Sequence, residues 1–368
     1  MVRNRVDEIQ SIQIETTSRC NLDCVTCLKP AYRTVWQERD MDQRLFRLIL
    51  AQIPAKVSIH LQGWGEPLLH PDTLSHIREL KAAGAMVSFT TSGSLMESTL
   101  AHALIDSGLD GLTFSMAGNC RSTQDNLRGA GSFAHLQKAI RTFISAKKSR
   151  SESFFRVAVS YLLTPQTVPE LPGAISWCRK NGVDALSTVH LTQAGCRTQQ
   201  KLQFMLSRQE ARHYHPLRIQ AQLRAICSKM RLTMKAFHPT LTPVCDKNPI
   251  NSLFISADGE VSPCVFLLPP VRQEVVWYHK NRISRQKPVS FGNLRKTSLS
   301  DIWDHPTYRQ FRDRFKERKN YHDQKLAGVS YSLEGSEKLD AAVGAIAHYL
   351  AIYPPPQPCT ACGKLDGY

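Results

Sequence analysis

The 368-residue chain is short of acid: 31 Asp and Glu stand against 47 Lys and Arg, a formal net charge of +16. The deficit is uneven. Between Arg197 and Lys235 nine Lys and Arg meet the single acid Glu210, and between His279 and Lys296 six meet none. Such surfaces attract nucleic acid, an acidic peptide, a phosphorylated cofactor or an electron-donating flavoprotein, and they also serve simply as solvated faces. Also missing is any apolar run long enough to span a bilayer, and Met1 to Ile9 mixes charges of both signs without an apolar leader core. No membrane partner is expected, and the cytoplasm is the expected compartment. Thiols there are kept reduced, so the 11 cysteines read as metal ligands or buried thiols rather than disulfides. With 42% hydrophobic and 21% charged residues the chain is globular, not disordered, and its length has room for about two domains.

A fourth cysteine is missing where it matters most. Cys20, Cys24 and Cys27 stand as Cys-x3-Cys-x2-Cys directly after Ile12-Gln13-Ile14-Glu15, an alternating run that reads as a short strand. Four-iron, four-sulfur clusters are usually held by four cysteines, so three leave one iron without a protein ligand. An open position of that kind is where a substrate or cofactor binds a metal. The triplet alone also fits a zinc knuckle or reduced surface thiols.

The following residues alternate between strand and helix. Lys56–Leu61, Met86–Thr90, Gly111–Ser115, Phe154–Leu163 and Ala185–Leu191 read as strands, and Met41–Ile53, Asp72–Ala83, Met96–Ser107, Ser132–Lys147 and Pro169–Lys180 as helices. Six strands alternating with helices argue for right-handed crossovers and a parallel sheet. The expected fold is α/β, a partial (β/α)6 TIM-like barrel with ligands at the strand C-terminal ends, followed by a small α+β domain.

The cysteine spacing and its preceding strand closely resemble the motif of the radical S-adenosylmethionine (SAM) enzymes, over about Ser11 to Leu191. That resemblance implies a 4Fe-4S cluster on Cys20, Cys24 and Cys27, with SAM chelating the open iron and being split to a 5'-deoxyadenosyl radical. Gly63-Trp64-Gly65-Glu66-Pro67 follows the second strand where the family has Gly-Gly-Glu-Pro, a backbone that holds the SAM amino group. Trp64 replaces the middle glycine, and its ring is expected to cover the cofactor. Thr91-Ser92-Gly93 stands where relatives often have Thr-Asn-Gly. Ser115 and Arg128 occupy positions that in relatives contact the ribose or carboxylate of SAM, and an arginine fork suits a carboxylate. Thr26 stands where an aromatic residue is common. Cys120 and Cys196, just beyond strand ends, are candidate catalytic thiols able to donate or accept a hydrogen atom, or small apolar fillers. Cys178 and Cys227 read as core.

The remaining cysteines gather late. Residues 1–196 are taken as the core, 197–237 as a basic helical bridge and 238–368 as a second domain holding Cys245, Cys264, Cys359 and Cys362. Asp258-Gly259 is a hairpin signal that would put Cys264 on the second strand. Four thiolates make a closed site that zinc or an iron-sulfur cluster satisfies equally on ligand count. Phe291-Gly292-Asn293-Leu294, Ser300-Asp301-Ile302-Trp303 and Tyr308 to Arg312 resemble segments of SPASM domains, which implies one auxiliary 4Fe-4S cluster. A segment near 320–353 has no counterpart in that resemblance.

These readings converge on a radical SAM oxidoreductase or maturase. Its expected substrate is a peptide or protein, alternatively a cofactor precursor as in maturases of tungsten-cofactor oxidoreductases, which the Cys-Val-Thr-Cys and Gly-Trp-Gly-Glu-Pro pair resembles. An electron donor such as flavodoxin or ferredoxin is the expected partner. A non-enzymatic zinc protein binding nucleic acid explains the cysteines and charge but not six strand-helix units.

Overall fold

The computed structural model describes residues 5–150, 155–240, 242–279, 282–327, 329 and 333–368. Six parallel strands run in chain order, each paired to the next: β1 (Ser11–Ile14), β2 (Ser58–Leu61), β3 (Met86–Thr91), β4 (Gly111–Met116), β5 (Arg156–Leu163) and β6 (Ala185–His190). Phe154, the first residue of the expected fifth strand, lies outside the described residues. One face of every strand is apolar. Ile12, Ile14, Ile59, Leu61, Val87, Phe89, Phe114 and Val157 are fully buried, under helices that supply Leu45, Phe46, Ile49, Ile77, Leu104, Ile140 and Ile175. This pairing of period 2 with period 3.6 is what makes the crossover units pack.

The helices sit where the apolar spacing puts them. Gln43–Leu50 starts at Asp42, whose carboxylate accepts from the Leu45 amide at 2.8 Å, and ends ahead of Pro54. Thr73–Ala82, Ser98–Asp106, Ser132–Lys148 and Leu171–Lys180 follow. Arg121–Arg128 is an additional helix that the sequence did not announce, because only Gln124 and Leu127 on it are buried and no apolar period shows.

The sheet then extends beyond six strands at both ends. β7 (Arg231–Thr233) closes the basic stretch and pairs parallel with β6, while β8 (Ser252–Ile255) pairs parallel with β1 and β9 (Val261–Ser262) antiparallel with β8. The order is β7-β6-β5-β4-β3-β2-β1-β8-β9. The late cysteine region therefore shares a backbone ladder with the early one. Asp258-Gly259 does turn a hairpin, but Cys264 is not on its second strand. β9 stops at Ser262 because Pro263 has no N–H for the ladder, and Cys264 instead precedes a 3-10 turn, Val265–Leu267. A second hairpin pairs β10 (Val275–His279) with β11 (Arg282–Gln286), whose polar sequence in the acid-free stretch hid it.

The segment near 320–353 has a structural role. Pro306–Leu326 and Leu333–Ile352 are helices lying side by side, with Tyr321 stacked on Tyr349 at 3.7 Å. The second helix carries the chain back to the sheet with Cys359 and Cys362. Arg318, 4% exposed, fastens this return by donating to the carbonyls of Pro243 at 3.1 Å, Leu350 at 3.2 Å and Tyr353. Replacing Arg318 by Ala strands buried carbonyls at about 1–3 kcal/mol each. The urea midpoint of R318A should fall, and Cys359 and Cys362 should react faster with a thiol reagent in the metal-free protein. Unchanged thiol reactivity would show that the return does not hang on this residue.

Candidate active site and metal centres

Cys20, Cys24 and Cys27 lie on the loop leaving β1, and four other segments pin that loop. The Val25 amide donates to Leu127 O at 2.9 Å, the Gln199 side chain donates to the carbonyls of Val25 and Cys27 at 2.9 and 2.6 Å, Asn21 reaches Ser94 Oγ at 3.0 Å, and Lys29 Nζ reaches Cys20 O at 2.8 Å. Burial pushes the Cys20 thiol up to about 11 and the Cys27 thiol up to about 12, and the neighbouring cysteines of the triplet push further in the same direction. A metal that binds these thiols displaces their protons.

The glycine motif folds back onto this loop. A Cβ on Gly63 would lie 2.2 Å from Glu15 Oε1, and one on Gly65 would lie 2.3 Å from Thr17 O and 2.5 Å from Arg19 O. The glycines are thus required by contact with the protein itself. Glu66 has a backbone and a side-chain role: its amide donates to Arg19 O at 2.8 Å, and its buried carboxylate accepts from Thr91 Oγ1 at 2.7 Å and from the Ser92 amide and hydroxyl at 2.8 and 2.9 Å. Burial raises the Glu66 pKa while these donors lower it. Thr91-Ser92-Gly93 is therefore the partner of Glu66, and the serine hydroxyl and amide serve it together. The Trp64 ring turns toward the late cysteine region, with its indole N–H donating to Val265 O at 3.1 Å and its edge meeting Phe266 and Trp36 at 6.1 and 5.8 Å.

Arg128 meets the triplet at its backbone, its carbonyl 3.9 Å from Cys24 Sγ, while its buried Nε has no partner. An orphaned guanidinium N–H beside three facing thiols fits an anionic group bound there. Ser115 is half-buried on the sheet face away from the helices, in register with Ser160. Cys196 precedes the short helix Arg197–Gln200, and the neighbouring Gly195 amide donates to Gln199 Oε1 at 2.7 Å, the same side chain that holds the triplet loop. Cys120 lies elsewhere. Its thiol is 3.2 Å from Glu170 Oε1, Ser122 Oγ and Thr123 Oγ1, at the opposite end of helix Arg121–Arg128 from the residue that meets the triplet, about 12 Å away along the axis. Cys178 is buried, as expected of core, but Cys227 is exposed.

Cys245, Cys264, Cys359 and Cys362 come together from the loop before β8, the exit of β9 and the chain end. Burial pushes Cys245 up to about 11 and Cys362 up to about 12, Cys264 and Cys359 are raised as well, and Cys264 acts on the other three. The chain end is strapped down by Lys364 to Asp246 at 3.3 Å and by His279 to Asp366 at 2.8 Å, and a Cβ on Gly363 would strike the His279 ring at 2.2 Å. Among the described residues, the group of three ligand atoms within 4.8 Å of one another is His70, Asp72 and His76, not a cysteine set. The histidine group is packing: His70 Nε2 bonds Met41 O at 2.9 Å, its Nδ1 accepts from the Asp72 amide at 3.1 Å, and His76 stacks on Phe46 at 3.8 Å.

Glu15 is the residue that sequence reasoning missed. Fully buried, it accepts from the Trp64 amide at 2.7 Å and the Ala257 amide at 3.4 Å, joining the glycine motif to the β8–β9 turn. Its place in the strand pattern, an acid at the inner end of an apolar run, was the available signal.

Residues 14–178 match the radical SAM superfamily and residues 245–325 match SPASM, an iron-sulfur cluster-binding domain. In sequence the chain is 27% identical over 306 residues, 82% of each chain, to a tungsten-containing aldehyde ferredoxin oxidoreductase cofactor-modifying protein of Pyrococcus furiosus. It is 26% identical over 282 residues, 70% of this chain and 82% of the other, to a probable GTP 3',8-cyclase of Sulfurisphaera tokodaii. In structure it resembles anSMEcpe with bound AdoMet, with a TM-score of 0.59 at 13% identity over 96% of this chain and 98% of that one. It also resembles SuiB of Streptococcus suis bound to S-adenosylmethionine, with a TM-score of 0.56 at 16% identity over 83% and 68%. These matches set aside the non-enzymatic zinc reading.

Two outcomes follow from the geometry. Gly65→Ala should displace the triplet loop and lower iron retained after reconstitution, while Gly344→Ala, with open space around its Cβ position, should retain it. Equal iron in both would contradict the close fit. Burial holds the Glu15 carboxyl up to about 7, above its ordinary value of 4.5. The folded chain then keeps a proton that the unfolded chain has lost, so stability falls as pH rises from about 4.5 to 7, by on the order of 3 kcal/mol. Urea midpoints of metal-free wild type and E15Q across pH 5 to 8 should differ in slope over that window, and parallel profiles would place the proton elsewhere.

Proposed function

The chain belongs to the radical SAM superfamily and carries a SPASM iron-sulfur region behind its core, and on that premise we propose that it modifies a cofactor precursor bound against the inner face of β1–β6. It is an enzyme whose cofactors are SAM, the SAM-binding 4Fe-4S cluster and an auxiliary iron-sulfur cluster. The observation carrying the substrate reading is the 27% identity over 82% of both chains with the P. furiosus cofactor-modifying protein. When bound, the first cluster supplies the electron that splits SAM and so the radical that takes a hydrogen atom from the substrate.

The chain's own residues have separate tasks. Cys20, Cys24 and Cys27 hold three irons, and the backbone of Gly63 to Glu66 lines the position of the SAM amino group. The unpartnered Arg128 Nε suits the SAM carboxylate, and Ser115 lies half-buried on the sheet face away from the helices. Cys245, Cys264, Cys359 and Cys362 hold the auxiliary cluster with no open position, which suits electron transfer. Cys196, beside the triplet loop, is the better placed of the two candidate thiols; the Cys120 site, closed by Glu170 and two hydroxyls, supports a structural role. Basic stretches of the surface suit an electron donor such as flavodoxin or ferredoxin.

A peptide substrate is the second reading. It is favoured by an exposed apolar stripe, Ile219, Leu223 and Ile226, on helix His215–Cys227, where Arg212 and Arg224 line the adjoining groove.

The test is anaerobic reconstitution with iron and sulfide, reduction with SAM present, and quantification of 5'-deoxyadenosine. Wild type and C264A should form it and C24A should not, with product above background by at least tenfold. Iron-loaded wild type that forms none would sink the catalytic reading.

A further inference from the structure

The face of β1–β6 that the helices leave uncovered has an unusual chemistry. The strand register sets Gln13, His60 and Ser88 side by side, Thr90 beside Thr113, and Ser115 beside Ser160 and Ser187. All are half-buried, and none is an acid. His60 is the hub: Nδ1 lies 2.9 Å from Ser88 Oγ, and Nε2 lies 2.9 Å from Gln62 Oε1 and 3.1 Å from Thr90 Oγ1. Burial pushes its pKa down to about 4, so the ring is neutral at physiological pH, and the Lys247 ammonium is near enough to push it further down.

Lys247 belongs to a group of cations at the late-cysteine side of this face. Its Nζ lies 5.8 Å from the Phe266 ring centre, and Lys364 Nζ lies 5.4 Å from the same ring. Lys235 and Lys364 share the Asp246 carboxylate at 3.0 and 3.3 Å. Three ammonium groups thus surround one carboxylate, and among the ion pairs of the described residues Lys247 has none. A neutral, hydroxyl-rich floor with three ammonium groups against one carboxylate at one wall is complementary to a polar anion.

We propose that this face binds a polar substrate carrying a dense anionic group, phosphate or carboxylate, and that Lys247 anchors that group. The inference rests on the reading that the substrate lies against the inner face of the sheet, and it adds the chemical class. The competing role for Lys247 is to offset the charge of the auxiliary cluster next to it.

The test is isothermal titration of the reconstituted full-length protein with inorganic pyrophosphate and, in a separate arm, with citrate. Wild type should bind one of them, and the arm that responds names phosphate or carboxylate as the group. K247Q should weaken that binding about tenfold or more, K247R should keep most of it, and K287Q, an exposed lysine of the β11 end, should match wild type. Binding of neither anion, or wild-type affinity in K247Q, overturns the proposal. Iron and sulfide are counted in each variant, and K247Q that loses iron while K247R keeps iron but not the anion assigns Lys247 to the cluster instead. Absence of 5'-deoxyadenosine alongside intact, Lys247-dependent binding would sink the proposed reaction and leave the site standing.

Discussion

A single four-residue strand, β1, carries the structure. It pairs with β2 on one side and with β8 on the other, so the early cysteine loop and the late cysteine region hang from the same backbone ladder. At its C-terminal end the buried Glu15 carboxylate takes one amide from the glycine motif and one from the β8–β9 turn. Ionising a carboxylate in that position is costly, and the two amides offset only part of the cost, so burial holds its pKa up to about 7. Moving either partner exposes or strands the other. The relative position of the two cysteine groups is therefore set by strand pairing and one acid rather than by a flexible linker.

The two centres differ in how firmly they are built. The triplet loop is held by segments following β3, β4 and β6 and by Lys29, all parts of the continuous core. The quartet depends on the chain end, which returns over the helical pair 306–352 and is tied by Arg318, Lys364 and the His279–Asp366 contact. Trp64 connects the two regions, a motif residue whose amide donates to Glu15 and whose ring packs against Phe266. The Trp64 side chain, at the position where the resembled motif has glycine, packs the two regions together.

Much of this was legible in the sequence because it rests on local pattern. Alternation located β1 to β6, apolar spacing located their helices, and the cysteine spacing located the triplet. What was hidden depends on long-range partners. The Arg121–Arg128 helix buries too little to show a period, and β11 is polar in sequence and emerges only when β10 pairs with it. Cys264 was put on a strand because the hairpin signal was right and the effect of Pro263 on the ladder was not weighed. Cys227 was read as core from its apolar neighbours Ala225 and Ile226, yet Ile226 itself is exposed. Glu15 offered only its place as an acid at the end of an apolar run and Lys247 no local pattern at all, since each acquires its role from residues far away in sequence.

The account's central claim is that one sheet presents two separate four-iron sites. It is tested most directly by counting iron, sulfide and zinc in anaerobically reconstituted protein whose Cys20, Cys24 and Cys27 are all replaced by Ala. The predicted result is about four iron and four sulfide per chain with no zinc, half of the wild-type content. Zinc in place of iron, or loss of all metal, would contradict it.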